Sequence, residues 1–276
     1  MKQITIGIII SCFCFACTEI GPEINPIGSG DIDPPQENIQ KVLIEELTGV
    51  RCVNCPAGTA EVLRLQEVYG DRLIAVAIHA GSFAIPYPDS REAFNIPEAN
   101  SLLNYLGFPL GYPSAVVNRR QFPDERSLQL SKGLWPGSVE MELQKSPSIL
   151  IDINTNFDPN DRSLQVAVQL TPLQTINEEN LKLSVMLVED NVQDLQLTPE
   201  GFQSDYTHRH NLRDMLTAFN GNLLNEPLEE SQTVDRNYFY TLPEEWDVQE
   251  CAIVALVHFD GELREVLQVE KKNIIE

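Results

Sequence analysis

At 276 residues the chain exceeds one ordinary domain and suits two. Hydrophobic residues make up 42%, which excludes a disordered composition, and 41 acidic against 19 basic residues give a net charge of -22. A surface that acidic repels phosphate backbones and carries no basic cluster to offset this, so nucleic acid is excluded as a partner.

The chain opens on Met1-Lys2, followed by an apolar run from Ile4 to Ala16 and then Cys17. A basic start, a short apolar stretch and a small residue before the cut describe an export signal over residues 1–16. The run is too short to span a bilayer, which takes about 20 residues. A signal that ends on a cysteine resembles a bacterial lipoprotein signal, in which that cysteine is acylated and becomes the new N-terminus. Cys17 is the favoured lipidation site. Cys12 is the alternative, since Ile9-Ile10-Ser11 fits the preceding positions better, although apolar Phe13 and Phe15 follow it. Residues 17–38 are polar and rich in Pro and Gly, which predicts a flexible tether whose stretch from Thr18 to about Asn38 reaches roughly 65 Å at about 3.3 Å per residue.

Folded structure is predicted from residue 39. Residues 41–48 form an apolar-rich run ended by Gly49 and predict a strand. Cys52-Val53-Asn54-Cys55 follows, and Pro56 then opens a helix that Gly70 closes. Residues 72–79 predict a second buried strand. The two cysteines therefore sit on a strand-to-helix turn, where the partial positive charge of the helix start favours thiolate, and Arg51 pushes the same way. The two-residue spacing lets one thiol resolve a mixed disulfide formed by the other, with Cys52 attacking and Cys55 resolving. A structural disulfide or an inactive remnant of such a site remains open. Zinc would need two further ligands, and Cys251 with the four histidines supplies no second clustered pair, so no metal or other cofactor is expected.

Strand, CxxC, helix, strand resembles the opening of the thioredoxin fold. The resemblance implies a cis-proline facing the dithiol, for which Gly111-Tyr112-Pro113-Ser114 supplies Pro113, and a buried acid six residues before the first cysteine. That acid is Glu46, on one face with Val42 and Ile44, with Glu45 as the alternative if the facing is reversed. Such a carboxylate would take the resolving thiol's proton. Residues 81–97, with three prolines, predict an inserted loop near the dithiol.

From residue 148 the pattern turns strand-rich. Strands are predicted at 149–157, 163–171, 181–189, 234–242, 251–259 and 265–270, with Asp260-Gly261 as a hairpin signal. About seven short strands imply an all-β sandwich of the immunoglobulin-like kind. The expected organisation is thus an α/β thioredoxin-like domain at 39–147 and a β-sandwich domain at 148–276. Cys251 reads as a small buried apolar residue. His208 and His210 would face the same side of a strand, which admits a metal reading beside that of a polar cluster.

The segments 45–56 and 206–213, Trp246, and the strands around Cys251 and Glu265 resemble the outer-membrane-protein-28-related lipoproteins. That family joins a thioredoxin-like domain to a C-terminal β-domain. The resemblance covers the mature chain and implies lipid-anchored attachment to the outer membrane of a Gram-negative bacterium. The expected activity is thiol–disulfide exchange on exported or envelope proteins by Cys52 and Cys55, supported by Glu46 and Pro113. The rival is a surface binding or adhesion lipoprotein, or an envelope-complex subunit, that uses the fold as a scaffold.

Overall fold

The structure is a computed structural model that describes residues 38–275. The expected signal, both candidate lipidation cysteines and all but the last residue of the expected tether lie outside the described residues. The described residues form one compact unit.

Its first part runs β1 (Val42–Thr48), α1 (Cys55–Tyr69), β2 (Leu73–His79), α2 (Pro97–Leu106), β3 (Ser114–Val117), β4 (Leu130–Ser131) and α3 (Trp135–Leu143). Each helix starts on a proline at its first or second position, where a missing N–H costs no intrahelical bond. Gly70 ends α1 at φ 57°, a left-handed backbone that glycine adopts without strain. β1 pairs parallel with β2 and antiparallel with β3. Both are buried along their full length, so their apolar runs do not alternate with polar residues.

The second part is all strand: β5 (Ile149–Asp158), β6 (Ser163–Pro172), β7 (Leu181–Glu189), β8 (Val192–Thr198), β9 (Gly201–His208), β10 (Asn211–Met215), β11 (Asn222–Leu223), β12 (Val234–Thr241), β13 (Cys251–Phe259) and β14 (Val266–Asn273). β5 and β6 alternate buried and exposed residues, the pattern of a sheet with one wet face. Gly261, at φ 108°, turns β13 into β14.

The division expected at 147/148 falls between α3 and β5, yet one sheet joins strands from both sides of it. Its order is β14-β13-β7-β10-β2-β1-β3-β4, with β11 beside β7. The junction is the parallel pairing of β10 with β2, where Asn211 stands opposite Ala77. Ala77, Asn211, Glu189 and Cys251 then follow in register across the strands. On that face α1 and α3 cover one end, packing Val62, Leu65, Trp135 and Val139 on Val42 and Ile44. A three-stranded sheet, β12-β6-β5, covers the other end, packing Ile151, Val166 and Val168 on Val185 and Ile253. On the opposite face one core runs from Leu43 and Ile78 through Leu102 of α2 to Met186 and Val254, so burial there is shared between the halves. The architecture is mixed α/β, mostly strands in sheets with a few helices. Among the described residues no helix is long and apolar enough to cross a membrane.

Candidate functional site: the Cys52–Cys55 disulfide and its surroundings

β1 ends at Thr48, and the chain turns through Gly49 and Val50 into the cysteine pair. Gly49 lies flat against the backbone of Phe83, and a β-carbon there would meet the Phe83 carbonyl oxygen at 2.4 Å. Cys52 N–H donates to the Gly49 carbonyl at 3.0 Å and Cys55 N–H to the Cys52 carbonyl at 3.2 Å, which coils the segment into the start of α1. Cys52 and Cys55 are joined as a disulfide, with Cα atoms 5.3 Å apart. Val53 and Asn54 between them face solvent.

Glu46 lies beneath the first turn of α1, almost fully buried. A β-carbon on Gly58 would meet its Oε1 at 2.4 Å and the Pro113 ring at 2.7 Å, so Glu46, the helix and Pro113 converge at one point. The Tyr112–Pro113 peptide is cis. Thr59 Oγ1 donates to Glu46 Oε2 over a long 3.5 Å, and Oε1 has no hydrogen-bond partner. Burial raises the Glu46 carboxyl to about 8, with the Thr59 hydroxyl pulling weakly the other way. It is therefore mostly protonated at neutral pH. Gly58 is required by this contact: Gly58→Ala is expected to destabilise the fold by about 1–3 kcal/mol, the cost of overpacking a full core, read as a lower urea midpoint.

Glu45 is the other acid of β1, and its side chain points to the opposite face. It is fully buried and held by Arg119 through two bonds, Nη2 to Oε1 at 2.7 Å and Nε to Oε2 at 2.9 Å. The structure thus separates two adjacent carboxyls into an ion-paired one and a solitary one.

The Arg51 side chain reaches the loop that follows β2. Its guanidinium donates to the carbonyls of Ile85 (2.6 Å) and Pro86 (2.8 Å) and stacks 4.2 Å above the Tyr87 ring. It ties the loop between β2 and α2 to the site.

The hairpin of β8 and β9, from the far half of the sequence, also reaches this site. Tyr206 lies near Thr59 and Glu46, and burial raises its hydroxyl. His208 packs against Phe94 (4.7 Å), Tyr206 (4.9 Å) and His79 (5.5 Å). Burial lowers His208 to about 4 and His79 well below its ordinary value, so both rings are neutral. Thr48, Cys55, Thr59, His79, Tyr206 and His208 together line a small enclosed pocket behind the second cysteine.

His210 does not share a face with His208. β9 stops at His208, His210 has φ 55°, and its ring turns to Gln66 (2.8 Å) and Asp190 (3.3 Å). Among the described residues no group of three or more His, Cys, Asp or Glu is placed to hold a metal ion. Cys251 is a free, buried thiol in the core between the sheets, raised to about 12 by burial.

Of the residues the sequence singled out, the structure gathers Glu46, Cys52, Cys55 and Pro113 around the start of α1. Sequence reasoning missed Gly58, Thr59 and Tyr206. A glycine three residues into a helix behind a cysteine is a local signal for a close approach, but nothing local marks Tyr206.

Residues 100–276 match the family described as outer membrane protein Omp28. HBP35 of Porphyromonas gingivalis superposes with a TM-score of 0.65 at 17% identity, over 86% of this chain and 76% of its own. A structural-genomics protein from Agrobacterium tumefaciens superposes at 0.53 with 12% identity, over 86% of this chain and 96% of its own. A domain of the outer membrane lipoprotein Omp28 from Porphyromonas gingivalis overlaps at 0.31 with 18% identity, over 46% of this chain and 88% of its own. At such identities the first two likenesses speak for the fold alone. No curated protein matches the sequence. The family match begins after the cysteine pair and takes in Pro113, the β8–β9 hairpin and every strand that follows. Spanning more than half of the residues, it shows that the chain belongs to the Omp28 family of outer membrane proteins.

Proposed function

We propose that this outer-membrane protein is a lipid-anchored, thioredoxin-like thiol–disulfide exchanger for exported or envelope proteins. In the reductive direction the Cys52 thiolate attacks a substrate disulfide. A mixed disulfide forms and one substrate thiolate leaves. Cys55 then loses its proton and attacks the Cys52 sulfur, releasing the second substrate thiolate and leaving the Cys52–Cys55 disulfide. The substrate gains two electrons and the dithiol loses two. The reverse sequence introduces a disulfide into a substrate dithiol. No bound cofactor is needed, because the sulfurs carry the electrons.

The observation that carries the reading is the solitary buried carboxyl of Glu46, near pKa 8, beneath the helix turn that bears the cysteine pair. A structural disulfide has no use for an unpaired acid at that point, whereas a resolving thiol needs a proton acceptor poised near the working pH. The anchor in this reading is an acylated Cys17, or Cys12.

The test is reduction of insulin, or of a fluorescent disulfide peptide, by the wild type, Cys52→Ser and Cys55→Ser, with dithiothreitol supplying the electrons that re-reduce the pair after each turnover. Wild-type turnover with both variants at background supports the reading, and Cys55→Ser is expected to trap substrates as mixed disulfides on Cys52. Equal rates in the wild type and Cys52→Ser would overturn it. Partners that bind through residues 148–276 and survive reductant would favour a binding or adhesion module.

A further inference from the structure

The disulfide is shut in. Cys52 is 3% exposed and Cys55 1%. The β8–β9 hairpin closes one side. Leu197 N–H donates to the Val50 carbonyl at 2.8 Å, extending backbone pairing from β8 onto the cysteine loop. Gln196 is buried, and its amide donates to the carbonyls of Cys52 at 3.0 Å and Gly49 at 3.4 Å.

A second grip holds the hairpin's other side. Buried Asp194 accepts from the backbone N–H groups of Arg91 (3.1 Å) and Glu92 (2.9 Å). Arg91 returns bonds to the carbonyls of Gln193 (2.8 Å) and Ser204 (3.4 Å). Phe202 meets Tyr87 edge-on at 5.0 Å, and Tyr87 carries the Arg51 guanidinium on its face. The inserted loop and the hairpin thus clasp each other beside the dithiol.

The buried face of β8 is Asp194, Gln196 and Thr198, with no apolar side chain among them. β8 is thus seated by hydrogen bonds, while β9 adds ring contacts, His208 on Phe94 and His79 and Phe202 on Tyr87. A two-stranded hairpin is marginal by itself, and elements held this way detach at less free energy than an apolar core.

We propose that the β8–β9 hairpin is a size-selective gate on the dithiol. The substrates it admits are small thiols and disulfides and cysteines on extended, unfolded chain. A cysteine on a folded protein surface is refused until the Asp194–Arg91 clasp opens. The proposal rests on the reading that Cys52 and Cys55 react, but access can be measured without turnover.

The full chain is reduced and then treated with N-ethylmaleimide or with a maleimide carrying a 5 kDa polyethylene glycol. Modification at Cys52 is timed by peptide mass. In the wild type the large reagent is expected to lag the small one by at least tenfold more than it does on an unfolded peptide bearing the same four residues. Asp194→Ala and Arg91→Ala are each expected to recover at least fivefold of that lag, while the small-reagent rate stays within about threefold. Hydrogen exchange should show 193–208 losing protection and β1 and β2 keeping theirs, which separates opening from unfolding. A wild-type ratio equal to the peptide's, or equal acceleration of both reagents in the variants, would overturn the gate. Gated alkylation without insulin reduction would instead sink the exchange reading and leave the gate standing.

Discussion

Arg119→Ala is expected to destabilise the protein by about 3–5 kcal/mol, the cost of stripping one partner from a fully buried ion pair. Both side chains have no solvent exposure, and the pair is two-pronged, the geometry in which a guanidinium best satisfies a carboxylate. Arg119 also lies 3.4 Å from His258 Nε2 on β13, and Ser184 Oγ of β7 lies 2.9 Å from the same nitrogen. Burial lowers His258 to about 3, with the Arg119 charge adding to it, so the ring is neutral and its Nε2 can accept. The cluster links β1 to strands from beyond residue 148, and its loss should register as a drop in the global urea midpoint, without a separate early transition. The double variant Glu45→Leu/Arg119→Met removes both charges and is expected to cost less than Arg119→Ala alone. A loss below about 1 kcal/mol for Arg119→Ala, at unchanged denaturant slope, would mean that Glu45 finds another partner or water.

How much of this was legible in the sequence follows from the range of the signals. Gly49, Pro56 and Gly70 punctuate the chain locally, so β1, α1 and β2 were readable within a residue or two. The strands at 181–189 and 251–259 were read at the bounds they have, and β5 and β6 announced themselves by alternation. β8 inverts this pattern, with polar Asp194, Gln196 and Thr198 buried and Leu195 and Leu197 half-buried, and β9 carries none. The buried positions of β8 are polar, so a hydrophobic template passes over them and the strand count came out low. The union of the halves was invisible for another reason. It depends on β10 pairing with β2 from more than 130 residues away, and β10 is five residues long. Nothing in Asn211 or Ala77 names the other. The choice between Glu45 and Glu46 was legible only in part. Alternation correctly put Glu46 with Val42 and Ile44, but every residue of β1 is buried, so facing alone did not say which acid is paired. That depended on Arg119, whose own φ is 49° in the turn after β3.

Glu46→Gln is expected to stabilise the protein, and by an amount that grows with pH. The native carboxyl titrates near 8 because burial disfavours its charge, while the unfolded one titrates near its ordinary 4.5. Below pH 4.5 both states hold the proton and the group has no influence on stability. Between 4.5 and 8 the unfolded chain releases the proton and the native state keeps it. Stability therefore falls as pH rises, by about 1.4 kcal/mol per pH unit, and levels off above 8. The accumulated penalty is of the order of 4–5 kcal/mol, an upper figure if water reaches the carboxylate once it ionises. Glutamine keeps the shape and removes the titration. Urea midpoints of the two proteins should coincide near pH 4 and diverge steadily up to pH 8, with the variant the more stable. A constant difference across that range would place the Glu46 carboxyl near its ordinary value and remove the proton acceptor from the proposed chemistry. The same ionisation sets the direction for exchange. The carboxylate able to take the Cys55 proton accumulates as pH passes through about 8, so resolution of the mixed disulfide should quicken in the window where the wild type loses stability. In Glu46→Gln both slopes should flatten together. A residue that served packing alone would gain stability on this substitution and leave the pH profile of exchange unchanged.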